Sequence, residues 1–168
     1  MRIVLNQYYV KFIWVLFYSI LSSYCYATPN VLVVSVVDGD TVWVKTISDQ
    51  KKQKVRLAHI DAPEKSQAYG KTAKKKLKQL IHKKYVRISV LDTDRYGRSI
   101  ADIFIDDRHV NKWMVRDGWA WVYRKYTNDE RYYQAEKLAR QEKRGLWHAN
   151  NPVAPWVYRK KQRSRRNK

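Results

Sequence analysis

Acidic residues are scarce in this chain: 168 residues carry 15 Asp and Glu against 35 Lys and Arg, a formal net charge of +20. So one-sided a balance argues against a basic partner and favours polyanions, nucleic acid ahead of an anionic membrane surface. Solubility alone needs no such excess of one sign. Cysteine is nearly absent, and the single Cys25 excludes an internal disulfide while saying little about compartment. The four histidines, His59, His82, His109 and His148, lie far apart without zinc-ligand spacing, so any metal is expected on oxygen donors. Internal repeats are also missing. One globular domain is all the length accommodates, and it is long enough to bury a core without disulfides or a structural metal.

A run long enough to span a membrane comfortably is lacking too. The apolar stretch Phe12–Leu21 is about half of the roughly 20 residues a transmembrane helix needs. It follows Arg2 and Lys11 and is followed by small and polar residues ending at Ala27, the layout of a secretory signal. The expected organisation is a signal peptide over 1–27, a folded domain over 28–148 and a basic tail over 149–168. The product would be exported, periplasmic or extracellular, with no stable membrane partner after cleavage. An uncleaved N-terminal anchor is the alternative; Ser22-Ser23-Tyr24 before Cys25 is a poor lipid-attachment signal.

What is present reads as β-structure followed by helices. Val31–Val37 and Thr41–Lys45 are β-rich runs around Asp38-Gly39-Asp40, a hairpin pattern, and Val55–Ile60 alternates as a third strand. Asp61-Ala62-Pro63-Glu64 ends that strand and is expected to open a helix. Tyr69, Ala73, Leu77, Leu80 and Ile81 then recur at helical spacing, with lysines on the other faces. Tyr85–Leu91 and Ser99–Ile105 are a fourth and a fifth strand around a turn at Asp92–Arg98. Helices follow over about Val110–Arg116 and Arg131–Lys143, the latter with Ala135, Leu138 and Ala139 inward and Gly145 as its stop. This order predicts a five-stranded β-barrel of OB type with three helices, a fold that often binds oligonucleotides. Asn150–Pro155 reads as a linker. Arg159–Lys168, with seven basic residues in ten, is expected to be disordered in isolation.

Against this basic background four carboxylates stand out at strand ends: Asp38, Asp40, Asp61 and Glu64. Clustered like charges are costly without a cation among them, and Ca²⁺ and Mg²⁺ prefer carboxylate and carbonyl oxygens. Each motif also has a purely structural use, as hairpin turn or as helix cap, so it is their joint appearance that favours a metal site. Arg56 and Arg98 offer planar forks that fit two phosphate oxygens. Either could equally be an ordinary strand or turn residue. Trp119 and Trp121 could stack on bases, although core filling is the commoner use. The lysine face of the first helix reads as a solvated surface that adds general attraction to nucleic acid.

Taken together, the stretches Val37–Val42, Val55-Arg56-Leu57, Ile60–Glu64, Tyr69-Gly70, Asp94–Arg98, Val110-Asn111, Met114–Gly118 and Gly145-Leu146-Trp147 resemble the staphylococcal nuclease (thermonuclease) family, in family order from about Val31 to Trp147. The resemblance implies a calcium-dependent nuclease acting on DNA or RNA and leaving 3′-phosphate and 5′-hydroxyl ends. It implies one Ca²⁺ held by Asp40, Asp61 and the main-chain oxygen of Ala62, where the family's type member has Thr. Glu64 would position or deprotonate the attacking water, and Arg56 and Arg98 would grip the scissile phosphate. Asp38 would shape the calcium pocket from behind. Arg95 and Tyr96 match positions that hold the nucleotide, and Tyr123 and Tyr126 lie near the base-stacking tyrosines. A monomer is expected. The competing expectation is a non-catalytic OB-fold module that binds nucleic acid, which would have no need of all five presumptive active residues.

Overall fold

The computed structural model describes residues 30–166. The expected export segment over 1–27 lies outside the described residues. Five long strands form the barrel: β1 (Val31–Val36), β2 (Thr41–Thr46), β3 (Lys52–Leu57), β5 (Tyr85–Thr93) and β6 (Ser99–Ile105). Three two-residue strands, β4 (Ile60–Asp61), β7 (Arg108–His109) and β8 (Trp121–Val122), complete the β-structure. The order β3-β2-β1-β5-β6 is antiparallel throughout and closes by a parallel pairing of β3 with β6. Closure removes the open edges, and β-branched residues at every second position fill the interior. Val31, Val33, Val42, Val44, Val55, Leu57, Val86, Ala101 and Ile103 are all buried there. The fold is therefore the five-stranded OB-type barrel with associated helices.

Among the described residues four α-helices accompany it: α1 (Gly70–Ile81), α2 (Val110–Arg116), α3 (Glu130–Gln141) and α4 (Pro155–Arg166). Ala73, Leu77 and Ile81 form the buried stripe of α1, as the spacing predicts. In α3 the inward stripe is Tyr132, Ala135, Glu136 and Ala139, so Leu138, expected inward, is half exposed instead. The stripe that includes Ala135 and Ala139 runs through 132 and 136 at helical spacing, and 138 falls off its edge.

Three further expectations change. The third strand does not run on to Ile60: His59 takes a left-handed conformation (φ 67°), and the chain restarts as β4, which pairs with β8 through Ile60–Val122 and Asp61–Trp121. The Asp61–Glu64 stretch opens no helix, because α1 begins only at Gly70 and residues 62–69 form a loop. The basic C-terminal segment is helical rather than disordered. Pro155 suits a first helical position, and no breaker follows through Arg166. Trp121 lies in a second buried cluster with Ala139, Leu146, Trp147 and Ala154, and Trp119 packs half-buried against the main core, so core filling is the use made of both. Among the described residues no helix is long and apolar enough to cross a membrane.

Candidate active site

The β1–β2 turn carries Asp38, Gly39 and Asp40 to one end of the barrel. Asp38 Oδ1 accepts from the Asp40 backbone N–H at 3.1 Å, which tightens the turn. Gly39 is there because nothing larger fits: a Cβ would stand 2.7 Å from the Ala62 Cβ and 2.9 Å from the Ala73 Cβ. This close approach presses the turn onto the 62–69 loop and onto α1. Asp40, 4% exposed, is thereby brought within reach of that loop, and its Oδ2 accepts from the Ala62 N–H at 3.0 Å.

Arg56 follows from strand register. Thr41 pairs with Arg56 across β2 and β3, which places the arginine beside Asp40. Its Nη1 donates to Asp40 Oδ1 at 2.9 Å and its Nη2 to Asp61 Oδ1 at 3.0 Å, so a single guanidinium bridges the two acids. Asp61 is fully buried, held by the β4–β8 pairing. Burial penalises the Arg56 charge, but the adjoining Asp40 and Asp61 carboxylates outweigh it and keep the guanidinium above its ordinary value. Burial, with Asp40 adding repulsion, pushes Asp38 up to about 6. Burial likewise raises Asp61, although the hydrogen bond from Arg159 opposes the rise. Burial is thus the larger influence on both acids.

Glu64 borders the same cluster with its side chain 39% exposed. Its position depends on Gly70, whose Cβ, if present, would lie 1.9 Å from the Glu64 carbonyl oxygen. Gly70→Ala is therefore expected to lower stability by about 1–3 kcal/mol and to displace Glu64, because the obstacle is backbone and cannot turn aside. Urea unfolding of both proteins checks this, and equal midpoints would mean the contact is not there.

The remaining predicted residues are divided. Arg98 lies just before β6, whose Ile100 pairs with Arg56 on β3, but its guanidinium turns back on its own loop, Nε donating to Asp94 Oδ2 at 2.7 Å. Arg95 and Tyr96 share that loop, joined by a 2.7 Å hydrogen bond from Arg95 Nη2 to the Tyr96 hydroxyl. Tyr96 is 69% exposed. Tyr123 lies after β8, its ring edge-on to Tyr126 at 4.7 Å and parallel to Trp156 of α4 at 5.9 Å. The structure thus gathers Asp38, Asp40, Arg56, Asp61, Ala62 and Glu64, and leaves Arg95, Tyr96, Arg98 and Tyr123 on separate loops. Among the described residues no three acidic, histidine or cysteine side chains are set together as a ready metal cluster.

Two groups of functional type escaped the sequence reading. Arg159 of α4 reaches the acids: Nη1 donates to Asp61 Oδ1 at 3.1 Å and to Glu64 Oε1 at 2.8 Å, and Nη2 to Asp61 Oδ2 at 2.7 Å. The available signal was Pro155, a helix-starting residue, ahead of Trp156 and Tyr158, aromatic residues that a solvated tail has no use for. Away from the site, Asp102 Oδ1 accepts from Asn111 at 3.1 Å and faces His109 Nε2 at 3.0 Å, and the Tyr132 hydroxyl donates to it at 3.4 Å. Asn111 also donates to the Ala58 and Ala101 carbonyls, so this network ties α2 and α3 to the barrel.

A half-buried arginine bridging two buried acids at the mouth of an OB-type barrel, with a third acid alongside, is a site suited to anionic oxygen chemistry. A model of the family described as "Staphylococcal nuclease homologue" matches residues 54–149. The chain is 40% identical over 148 residues to an "Uncharacterized endonuclease" of Haemophilus influenzae, covering 88% of this chain and 83% of that protein. It is 43% identical over 128 residues to an "Uncharacterized endonuclease" of Escherichia coli O157:H7, covering 76% and 82%. To the "Micrococcal nuclease" of Shigella flexneri it is 35% identical over 146 residues, covering 80% and 83%. The chain belongs to the staphylococcal nuclease family, and this membership supports interaction with nucleic acid.

Proposed function

We propose that the chain is an exported, calcium-dependent nuclease that hydrolyses phosphodiester bonds of DNA or RNA to 3′-phosphate and 5′-hydroxyl ends. The observation that carries this reading is the pair of buried acids, Asp40 and Asp61, bridged by Arg56 with Glu64 beside them. The donor set fits a hard divalent cation: every candidate ligand is an oxygen, and Asp40 and Asp61 are both buried and tied to one guanidinium. Asp40, Asp61 and the main-chain oxygen of Ala62 would hold Ca²⁺. When bound, the ion supplies a double positive charge that polarises a phosphate oxygen.

The chain's own residues supply the rest. Glu64, at the border of buried and exposed surface, orients the attacking water and takes its proton. Arg56, already charged and fixed by two carboxylates, stabilises the charge that accumulates as phosphorus becomes five-coordinate. Arg98 joins it by exchanging Asp94 for phosphate, and Arg95 and Tyr96 hold the adjoining nucleotide. Tyr123 offers a base the ring face turned away from Trp156. The net charge of +20 draws the polyanion in.

Single-stranded DNA incubated with the purified chain in calcium should be cut, and a chelator should abolish cutting. End-labelling of the products should find 3′-phosphate and 5′-hydroxyl termini. Salt-sensitive binding with every strand left intact would instead favour a non-catalytic binding module.

A further inference from the structure

In the arrangement described, every carboxylate oxygen of the two proposed calcium ligands is already engaged. Asp40 Oδ1 accepts from Thr41 and Arg56, and Asp40 Oδ2 accepts from the Ala62 N–H. Asp61 Oδ1 accepts from Arg56 and Arg159, and Asp61 Oδ2 accepts from Arg159 alone, at 2.7 Å. Thr41 and Arg56 belong to the barrel strands, and Ala62 to the loop pressed against the β1–β2 turn. Arg159 comes instead from α4, past residue 149, where the match to the family model ends.

The helix is held over the site at several points, so the contact is no stray surface arginine. The Tyr158 hydroxyl donates to Ser66 Oγ at 3.0 Å, and Gln67 Nε2 donates to the Val153 carbonyl at 2.5 Å. Trp156 lies edge-on to Trp121 at 5.7 Å and parallel to Tyr123. Together these contacts aim residue 159 between Asp61 and Glu64. The guanidinium fork then lies along the Asp61 carboxylate, each nitrogen of the fork on one of its oxygens, a geometry in which charge-assisted hydrogen bonds are strongest. Three acids, Asp40, Asp61 and Glu64, thus face two guanidinium groups, Arg56 and Arg159.

We propose that α4 is an intrinsic competitor of the metal, with the Arg159 guanidinium occupying the Asp61–Glu64 carboxylates until a divalent cation displaces it. The inference rests on the calcium reading above and adds the regulation of that site. With its fork along the Asp61 carboxylate, Arg159 puts a positive charge where a cation approaching Asp61 Oδ2 and Glu64 would lie, so the two repel each other, and replacing it with a divalent ion exchanges one positive charge for two beside the three acids. Calcium affinity is therefore set partly by the helix, and the nuclease stays closed where calcium is scarce.

The test is isothermal titration of calcium into the parent chain, Arg159→Gln and Arg159→Lys, at low salt and without nucleic acid, with DNA cleavage assayed in parallel. Arg159→Gln is expected to bind calcium about tenfold more tightly, the effect of removing about 1.4 kcal/mol of competing interaction. Arg159→Lys, which keeps the charge and the helix but loses the fork, should fall between the two. Calcium affinity in Arg159→Gln equal to or below that of the parent, while both still cleave DNA in calcium, overturns the inference and leaves the nuclease reading standing. Absence of calcium binding by all three proteins overturns the calcium reading and the inference with it.

Discussion

Replacement of Glu64 by alanine is expected to lower turnover by about 10²–10⁴, the usual loss when a positioned acid–base group is removed, while binding of DNA changes little. The expectation follows from where Glu64 lies. It belongs to the 62–69 loop rather than to the barrel, its side chain is 39% exposed, and its one ion pair is with Arg159. No core packing is lost with it. Removing one negative charge beside the site should, if anything, strengthen the hold on a polyanion. Single-turnover cleavage in saturating calcium, together with a filter-binding titration, separates the two effects. Cutting at the parental rate by Glu64→Ala would remove that carboxylate from the chemistry. A joint fall in binding and rate would make Glu64 a structural residue of the loop.

Much of the architecture was legible in the sequence because it depends on local alternation. β-branched residues at every second position mark β1, β2, β5 and β6, and the Ala73–Leu77–Ile81 stripe marks α1. The misread places are those where the chain departs from its local preference. His59 adopts a left-handed backbone that nothing in its neighbourhood announces, and this splits the expected third strand into β3 and β4. Asp61-Ala62-Pro63-Glu64 has helix-opening chemistry. The chain nevertheless stays a loop until Gly70, where the Glu64 carbonyl leaves no room for a side chain. That loop carries Glu64 and Ala62, so local preference yields where the candidate site is built.

The candidate site was partly legible. Asp40, Arg56, Asp61 and Glu64 stand at element ends in recognisable motifs, and cross-strand register does bring them together. Arg98 was legible as a motif but not as a contact, since its pairing with Asp94 four residues back satisfies it locally. Arg159 could not be found from spacing, because 95 residues separate it from Glu64 and the segment that follows it is almost wholly basic or polar. Composition assigns such a segment to solvent. Only the tertiary contacts of Trp156 and Tyr158 decide otherwise.

Arg56→Gln should produce the other large effect, and in two separable quantities. Losing a fixed charge donor to the phosphate is expected to cost about 10²–10³ in turnover. Losing the bridge between Asp40 and Asp61 leaves buried carboxylates that repel each other, a defect of about 3–5 kcal/mol when no cation compensates. Arg159 still holds Asp61, so the lower end of that range is expected, a fall in unfolding midpoint of roughly 10 °C in chelator. Calcium should restore much of the stability, because a ligand that binds only the folded state stabilises it in proportion to its saturation, and the freed oxygens of Asp40 and Asp61 are those proposed to take it. It should not restore the rate, because calcium on the acids does not replace the guanidinium proposed to stabilise charge on the phosphate. Thermal unfolding of parent and variant, each with calcium and with chelator, reads the first quantity, and cleavage in saturating calcium reads the second. A variant destabilised equally in both solutions would mean that calcium does not share the two acids with Arg56.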